Sequence, residues 1–221
     1  MEKDLYKFIR EDDEIRELIK RGNANLGVLG ITDHSEIHTT LVAKNAAWIL
    51  KEFGYDAHSQ QLAKIAGYMH DIGNAINRTR HAEYGALLAN DILKRYNISV
   101  EDRVEIVTCI SNHDESTGSS VDAISAALII ADKTDVRRNR VRIKDKAAFD
   151  IHDRVNYAVT EAVLSIDMEK KVITLQLTID EESCSMYEYF DIFLGRMQMC
   201  RHAAEMLGAR FKLMANGSKV L

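Results

Sequence analysis

The chain has 221 residues, 34 acidic and 29 basic side chains and a net charge of -5, which excludes a protein built as a whole to coat a polyanion. That length supports one well-buried core with residues left over for a small second unit. Cys109, Cys184 and Cys200 fit neither a disulfide framework nor a CxxC zinc site, and no apolar run reaches the roughly 18 residues a membrane span needs.

The opening stretch "MEKDLYKFIREDDEIRELIKR" is charged throughout and has no signal-peptide core, so the expected location is cytoplasmic. Helical periodicity then runs almost unbroken through the first 150 residues. A first core helix is expected from Ser35, with Ile37, Leu41, Val42, Ala46, Ile49 and Leu50 recurring at three and four residues and Gly54 closing it. Asp33 and Glu36 read as a capping box at its start. A second helix follows in "HSQQLAKIAGYMHDIG", a third in "HAEYGALLANDILKRYN", a fourth in "SVEDRVEIVTCISNH" and a fifth in "SVDAISAALIIADKTDVRRNRVR". Short polar joints between them imply a helical bundle.

After about residue 155 the period changes from about 3.6 to 2. "YAVTEAVLSID" and "KKVITLQLTID" read as an antiparallel hairpin, "CSMYEYFDIFLGRMQMCRHAAEMLG" as a helix, and "RFKLMANGSKVL" as short strands about an Asn-Gly turn. The expected architecture is mainly α, a helical domain over 1–150 followed by a small α+β (ββαβ) appendage over 151–221.

The informative polar groups fall at helix ends or interrupt apolar faces. His38 lies in the first turn of the first core helix, His70 and Asp71 end the second, His81 starts the third and His113 ends the fourth. Asp132 interrupts the fifth directly after "ALIIA", where a lone carboxylate carries a heavy desolvation cost unless a cation offsets it. Helical bundles gather metal ligands in this way. Imidazoles and carboxylates together suit Fe, Mn, Co, Ni or Zn, whereas a magnesium site is nearly all oxygen.

The ordered pattern H…HD…H…H…D over roughly residues 30–145 resembles the HD-domain metal-dependent phosphohydrolases. That resemblance implies a metal held by His38 in "HTTLVA", His70, Asp71 and Asp132. It also implies a second metal held with His81 and His113, and Asp71 bridging the two. "HAEYGALLA", "ISNH" and "IIADKTDVRRNR" look most like the HD-type symmetrical diadenosine tetraphosphate hydrolases. They are also similar to the HD-GYP cyclic-di-GMP phosphodiesterases, although "HDESTGSSVDA" lacks the GYP segment and Asn74 stands where those proteins have lysine.

The expected activity is hydrolysis of a phosphoester or phosphoanhydride of a small nucleotide, by hydroxide generated on two divalent ions, Fe or Mn ahead of Co, Ni or Zn. His70 and Asp71 are the expected catalytic pair. Lys133, Arg137 and Arg140 after Asp132, and Arg78 and Arg80 before His81, are the expected phosphate ligands. The remainder of the run "KTDVRRNRVRIKDK", including Arg138, Arg142, Lys144 and Lys146, reads as a solvated face. His34 is expected to support the site from outside the ligand set. The expected partners are a small phosphorylated substrate and a second copy of the chain through the appendage, with no nucleic-acid polymer and no membrane. Two other readings stay open: a nucleotide-sensing module that keeps the metal site but turns little over, and a cyclic-dinucleotide phosphodiesterase. The sequence leaves the substrate and native metal undetermined.

Overall fold

The computed structural model describes residues 5–143, 149 and 151–220; Lys144, Lys146 and the expected boundary at Asp150 lie outside the described residues. Helices α1 (Leu5–Glu11) and α2 (Asp13–Val28) precede the expected bundle. α3 (Glu36–Glu52), α4 (Ala57–Met69), α5 (His81–Leu93) and α6 (Val100–Ser111) are the four helices expected next, α4 and α5 ending earlier than expected, at Met69 and Leu93 in place of Gly73 and Asn97. The α3 cap differs from it: Ser35 is the N-cap and accepts from the Ile37 N–H, while Asp33 takes the Ser35 hydroxyl and N–H in place of the expected box with Glu36. α7 (Ala123–Lys133) is shorter than expected. It stops straight after Asp132, and the chain continues as a single tight turn at Arg138–Arg140, because Arg140 is drawn inward to the Asp33 and Asp135 carbonyls.

α7 is the axis of the molecule. Every residue from Ile124 to Ala131 is buried, with α3, α4 and α6 packed on it from one part of the chain and a later helix, α9 (Met186–Met206), from the other. α3 and α4 cross at near backbone contact. A Cβ at Gly67 would stand 2.8 Å from the Ala43 Cα, so glycine sets the spacing one turn before His70. Beyond His70 a short turn at Ile72–Ala75 lies against α5, where a Cβ at Gly73 would fall on the His81 carbonyl oxygen. Those two close approaches bring the HD doublet and His81 together.

The C-terminal part opens with α8 (Ile151–Ala158), which takes the Tyr157–Ala158 start expected of the first strand. β1 (Val159–Asp167) pairs antiparallel with β2 (Val172–Ile179), β2 runs parallel to β3 (Arg210–Ala215), and β3 turns antiparallel into the two-residue β4 (Ser218–Lys219). The unit is therefore αββαββ in place of the expected ββαβ. The period-2 pattern places Ile173, Leu175, Leu177 and Ile179 in the core, opposite exposed Gln176 and Thr178. Asn216 and Gly217 both have positive φ, 48° and 79°, the left-handed pair that a tight hairpin requires. α9 crosses from β2 to β3 and buries Tyr189, Phe193, Met197 and Cys200. A single hydrophobic cluster runs from Leu5 to Ala215 through both parts of the chain. Among the described residues no helix is long and apolar enough to cross a membrane.

Candidate metal centre

The fold converges His38, His70, Asp71, His81, His113 and Asp132 at one polar cleft. All but Asp132 are among the buried polar residues, at 0 to 6% exposure, and the Asp132 side chain is 11% exposed. His38 Nε2 stands 3.3 Å from Asp132 Oδ1 and 3.7 Å from Asp71 Oδ2; His70 Nε2 stands 3.1 Å from Asp71 Oδ2 and 3.7 Å from Asp132 Oδ1. The other Asp71 oxygen, Oδ1, faces the second imidazole pair, 3.6 Å from His81 Nε2 and 3.9 Å from His113 Nε2. The expected bridge therefore has one oxygen turned towards each half of the site.

The outer nitrogen of each ring is tied back. Nδ1 of His70 bonds to the Gly67 carbonyl at 2.8 Å, that of His113 to the Ile110 carbonyl at 2.6 Å, and that of His81 to the Arg78 carbonyl at 3.0 Å. His38 Nδ1 meets the Asp135 carboxylate at 2.7 Å. Each contact engages the Nδ1 proton and turns Nε2 inward, where it becomes a lone-pair donor once it carries no proton, the arrangement of metal-ligating histidines.

A divalent cation fits this donor set. His38 Nε2, His70 Nε2 and Asp71 Oδ2 are buried without a hydrogen-bond partner, a costly state for three polar atoms of one site that a shared cation would relieve. Two overlapping trios, His38–His70–Asp132 and His70–Asp71–His113, each offer ligand atoms within 4.8 Å of one another. The protonation pattern agrees. Burial pushes the Asp71 and Asp132 carboxyls up, but His70 beside the first and Lys133 beside the second hold both well below the usual carboxylate range. Burial, with His70 and His81 close by, brings His113 down to about 3, leaving a neutral donor at neutral pH. Burial disfavours charge at His70 too, yet Asp71 and Asp132 drive its pKa up to about 10, so a proton there supplies the positive charge the two carboxylates demand. A metal ion would take over that charge and release the proton.

The second half is less exposed to this argument. His81 Nε2 and His113 Nε2 are 3.2 Å apart, Arg78 Nη1 lies 3.3 Å from His81 Nε2, and Asn74 Nδ2 donates to Asp71 Oδ1 at 2.8 Å. Asn74, at the position noted for lacking lysine, thus steadies the HD carboxylate.

Of the expected phosphate ligands, Arg78, Lys133 and Arg140 line the cleft. Lys133 Nζ touches Asp132 Oδ2 at 2.7 Å, and Arg140 is buried at 6% exposure. Arg137 does not join them: its guanidinium turns to Asp135, with Nε–Oδ1 2.5 Å and Nη2–Oδ2 2.9 Å, on the side facing a groove between α3 and β1. Arg80 is exposed at the α5 N-terminus and outside the cleft lining. His34, expected as support, lines the cleft directly and offers a ligand atom within 4.8 Å of those of His38 and Asp71. Three groups carry roles the sequence reading did not assign: Asp135 behind His38, Asp114 with Oδ2 3.4 Å from His81 Nδ1, and Arg196, which reaches the cleft from α9.

The helical fold gathers a buried His/Asp donor set that fits a metal ion. Residues 36–143 match the family model described as the HD domain. An uncharacterized protein of Methanocaldococcus jannaschii is 28% identical, the match covering 81% of this chain and 77% of the relative. A crystal structure titled as a predicted HD superfamily hydrolase, from an uncultured Thermotogales bacterium, is 26% identical and covers 56% of this chain and 67% of its own, with a TM-score of 0.44.

Proposed function

We propose that the protein is a metal-dependent phosphohydrolase of small nucleotides. The observation that carries the reading is the trio of orphaned buried atoms, His38 Nε2, His70 Nε2 and Asp71 Oδ2, beneath a cleft lined by Arg78, Lys133 and Arg140. His38, His70, Asp71 and Asp132 would hold one ion, and His81 and His113 with the far oxygen of Asp71 a second, Fe or Mn being the expected metals. When bound, a pair of divalent ions supplies an activated water and neutralises phosphoryl charge.

The chain's own residues supply the rest. Lys133 places an ammonium beside Asp132, where a phosphoryl oxygen next to the metal site would meet it. Arg140 is held by the Asp33 and Asp135 carbonyls through Nε and Nη1, so its guanidinium is fixed before any ligand arrives. Among the described residues no serine or cysteine lines the cleft, and the thiols of Cys109, Cys184 and Cys200 are buried and raised by that burial, so no side-chain hydroxyl or thiol of serine or cysteine stands ready as a nucleophile there. Compact anions suit a small cationic cleft on a chain of net charge -5. Dinucleoside polyphosphates and nucleoside phosphates are accordingly favoured over cyclic dinucleotides and over nucleic-acid chains.

The test is elemental analysis of protein loaded anaerobically with Fe or Mn, followed by steady-state turnover over a panel of mononucleotides, dinucleoside polyphosphates, cyclic dinucleotides and single-stranded RNA. Turnover of a small nucleotide that disappears with the metal supports the reading. Metal-loaded protein that binds nucleotides and turns none over would instead make it a sensing module.

A further inference from the structure

Among the described residues, Arg196 is the one cleft-lining residue contributed by the C-terminal part of the chain. It sits mid-way along α9, which is locked onto α7 by buried Met197 and Cys200, so its position relative to Asp132 is set by the core. Its guanidinium lies 4.9 Å from the Phe193 ring centroid, and its Nε contacts Glu115 Oε2 at 3.1 Å. Glu115 belongs to the turn after His113, which is held by the Asp114 carboxylate accepting from Ser116 N–H and hydroxyl and by the Gly118 N–H bonding back to the Asp114 carbonyl.

The cations of the cleft form a gradient of depth. Lys133 touches the ligand Asp132 and Arg78 touches the ligand His81; the Lys133 and Arg140 side chains are 10% and 7% exposed. Arg196 is 30% exposed, and among the described residues its ion pair is with the Glu115 carboxylate, which is 40% exposed, and not with a His or Asp of the donor set. An exposed ion pair of this kind contributes little stability and exchanges readily. A phosphate offers the same guanidinium two oxygens in a matched, bidentate geometry, with stronger charge-assisted hydrogen bonds.

We infer that Arg196 is a substrate-binding residue for a second, outer phosphate, and that Glu115 occupies its guanidinium until that phosphate displaces it. This deepens the proposed function, on which it rests for the inner phosphate at the metal end, and names the substrate class: a compound with at least two phosphates, such as a nucleoside polyphosphate. The appendage thereby completes the site.

Calorimetric titration of the metal-loaded full chain with inorganic phosphate and with pyrophosphate tests this without requiring turnover. Wild type should bind pyrophosphate more tightly than phosphate. R196A should weaken pyrophosphate at least about tenfold while changing phosphate less than about threefold, with metal content and melting temperature held, and R196K should recover part of the loss. E115Q should tighten pyrophosphate severalfold, because the guanidinium no longer has to be released. Equal losses for both anions in R196A, unchanged pyrophosphate affinity in R196A, weaker binding in E115Q, or no pyrophosphate binding by wild type would each overturn the inference. The two readings fail separately: Arg196-dependent pyrophosphate binding without hydrolysis of any nucleotide would overturn the phosphohydrolase and leave the outer site standing. Nucleotide hydrolysis with KM and kcat indifferent to R196A would do the reverse.

Discussion

Exchange of Asp135 for asparagine separates the support of the first imidazole from the imidazole itself. The Asp135 side chain is fully buried, accepts the Nδ1 proton of His38 at 2.7 Å, and is gripped by Arg137 at 2.5 and 2.9 Å. Burial pushes its carboxyl up, and His38 and Arg137 hold it far below the usual range, so it is an anion at any working pH. Asparagine keeps the volume and one acceptor oxygen and removes the charge. His38 Nε2 then becomes a poorer donor, and the ring can turn over or take its proton on the inner nitrogen. Loss of such an outer partner typically costs about 10–100-fold in metal affinity, or about 1.4–2.8 kcal/mol. The folded chain also loses the counter-charge of Arg137. Because that side chain is 33% exposed, the stability cost should fall below the about 3–5 kcal/mol seen when a fully buried pair is broken. Competition of D135N against a chelator of known Mn(II) affinity, with thermal melting of the metal-free protein, reads both effects. Saturating metal should still fill the site. Wild-type metal affinity in D135N would refute the argument that the Asp135 contact orients His38.

Asp71 presents one oxygen to each imidazole pair, so D71A should lose nearly all bound metal and all hydrolysis while its far-ultraviolet circular dichroism stays helical; full metal retention by elemental analysis would remove Asp71 from the site. H113A should lower the metal content of anaerobically loaded protein by about one ion per chain, and wild-type protein that never exceeds one ion would return His81 and His113 to a supporting role. G67A forces a methyl group against the Ala43 backbone at the α3–α4 crossing, which should cost about 1–3 kcal/mol in denaturant melts and, by displacing His70, weaken metal binding; an unchanged melt would mean the two helices part freely there.

Periodicity made the bundle legible because α3, α4 and α6 carry apolar positions at helical spacing behind the N-caps Ser35, Asp56 and Ser99. It failed where tertiary contacts outweighed local preference. The fifth helix was expected to continue through "TDVRRNRVR", a stretch of acceptable helix formers. What ends it is Arg140 reaching two carbonyls more than local hydrogen bonding could offer, one of them on Asp33, 107 residues away in sequence. The last two residues of α8, Tyr157 and Ala158, read as the start of a strand because eight residues give too few turns to display a period, and Val159 continues the apolar character into β1.

The cluster of candidate ligands was legible for a different reason. Asp132 and the His70–Asp71 doublet interrupt or end apolar runs, where a polar residue is expensive, while His81 and His113 stood out through the resemblance of the whole ordered pattern to a known family. The groups that support or extend the site are not expensive in that way. Asp135 follows Asp132 by three residues and resembles an ordinary helix-terminal carboxylate until the fold places its oxygen 2.7 Å from His38. Arg196 looks, like Arg201, to be an ordinary surface arginine on α9, and its position one residue before buried Met197 is a weak cue in isolation. Arg137 misled in the opposite sense, since proximity in sequence to Asp132 put it among the phosphate ligands whereas the chain's turn after Lys133 aims it at Asp135. A sequence shows which polar groups are buried at a cost; which cations face the same cleft is decided by how α7 and α9 pack. The cations lining the cleft are therefore written in tertiary structure even where its His/Asp donor set is written in the chain.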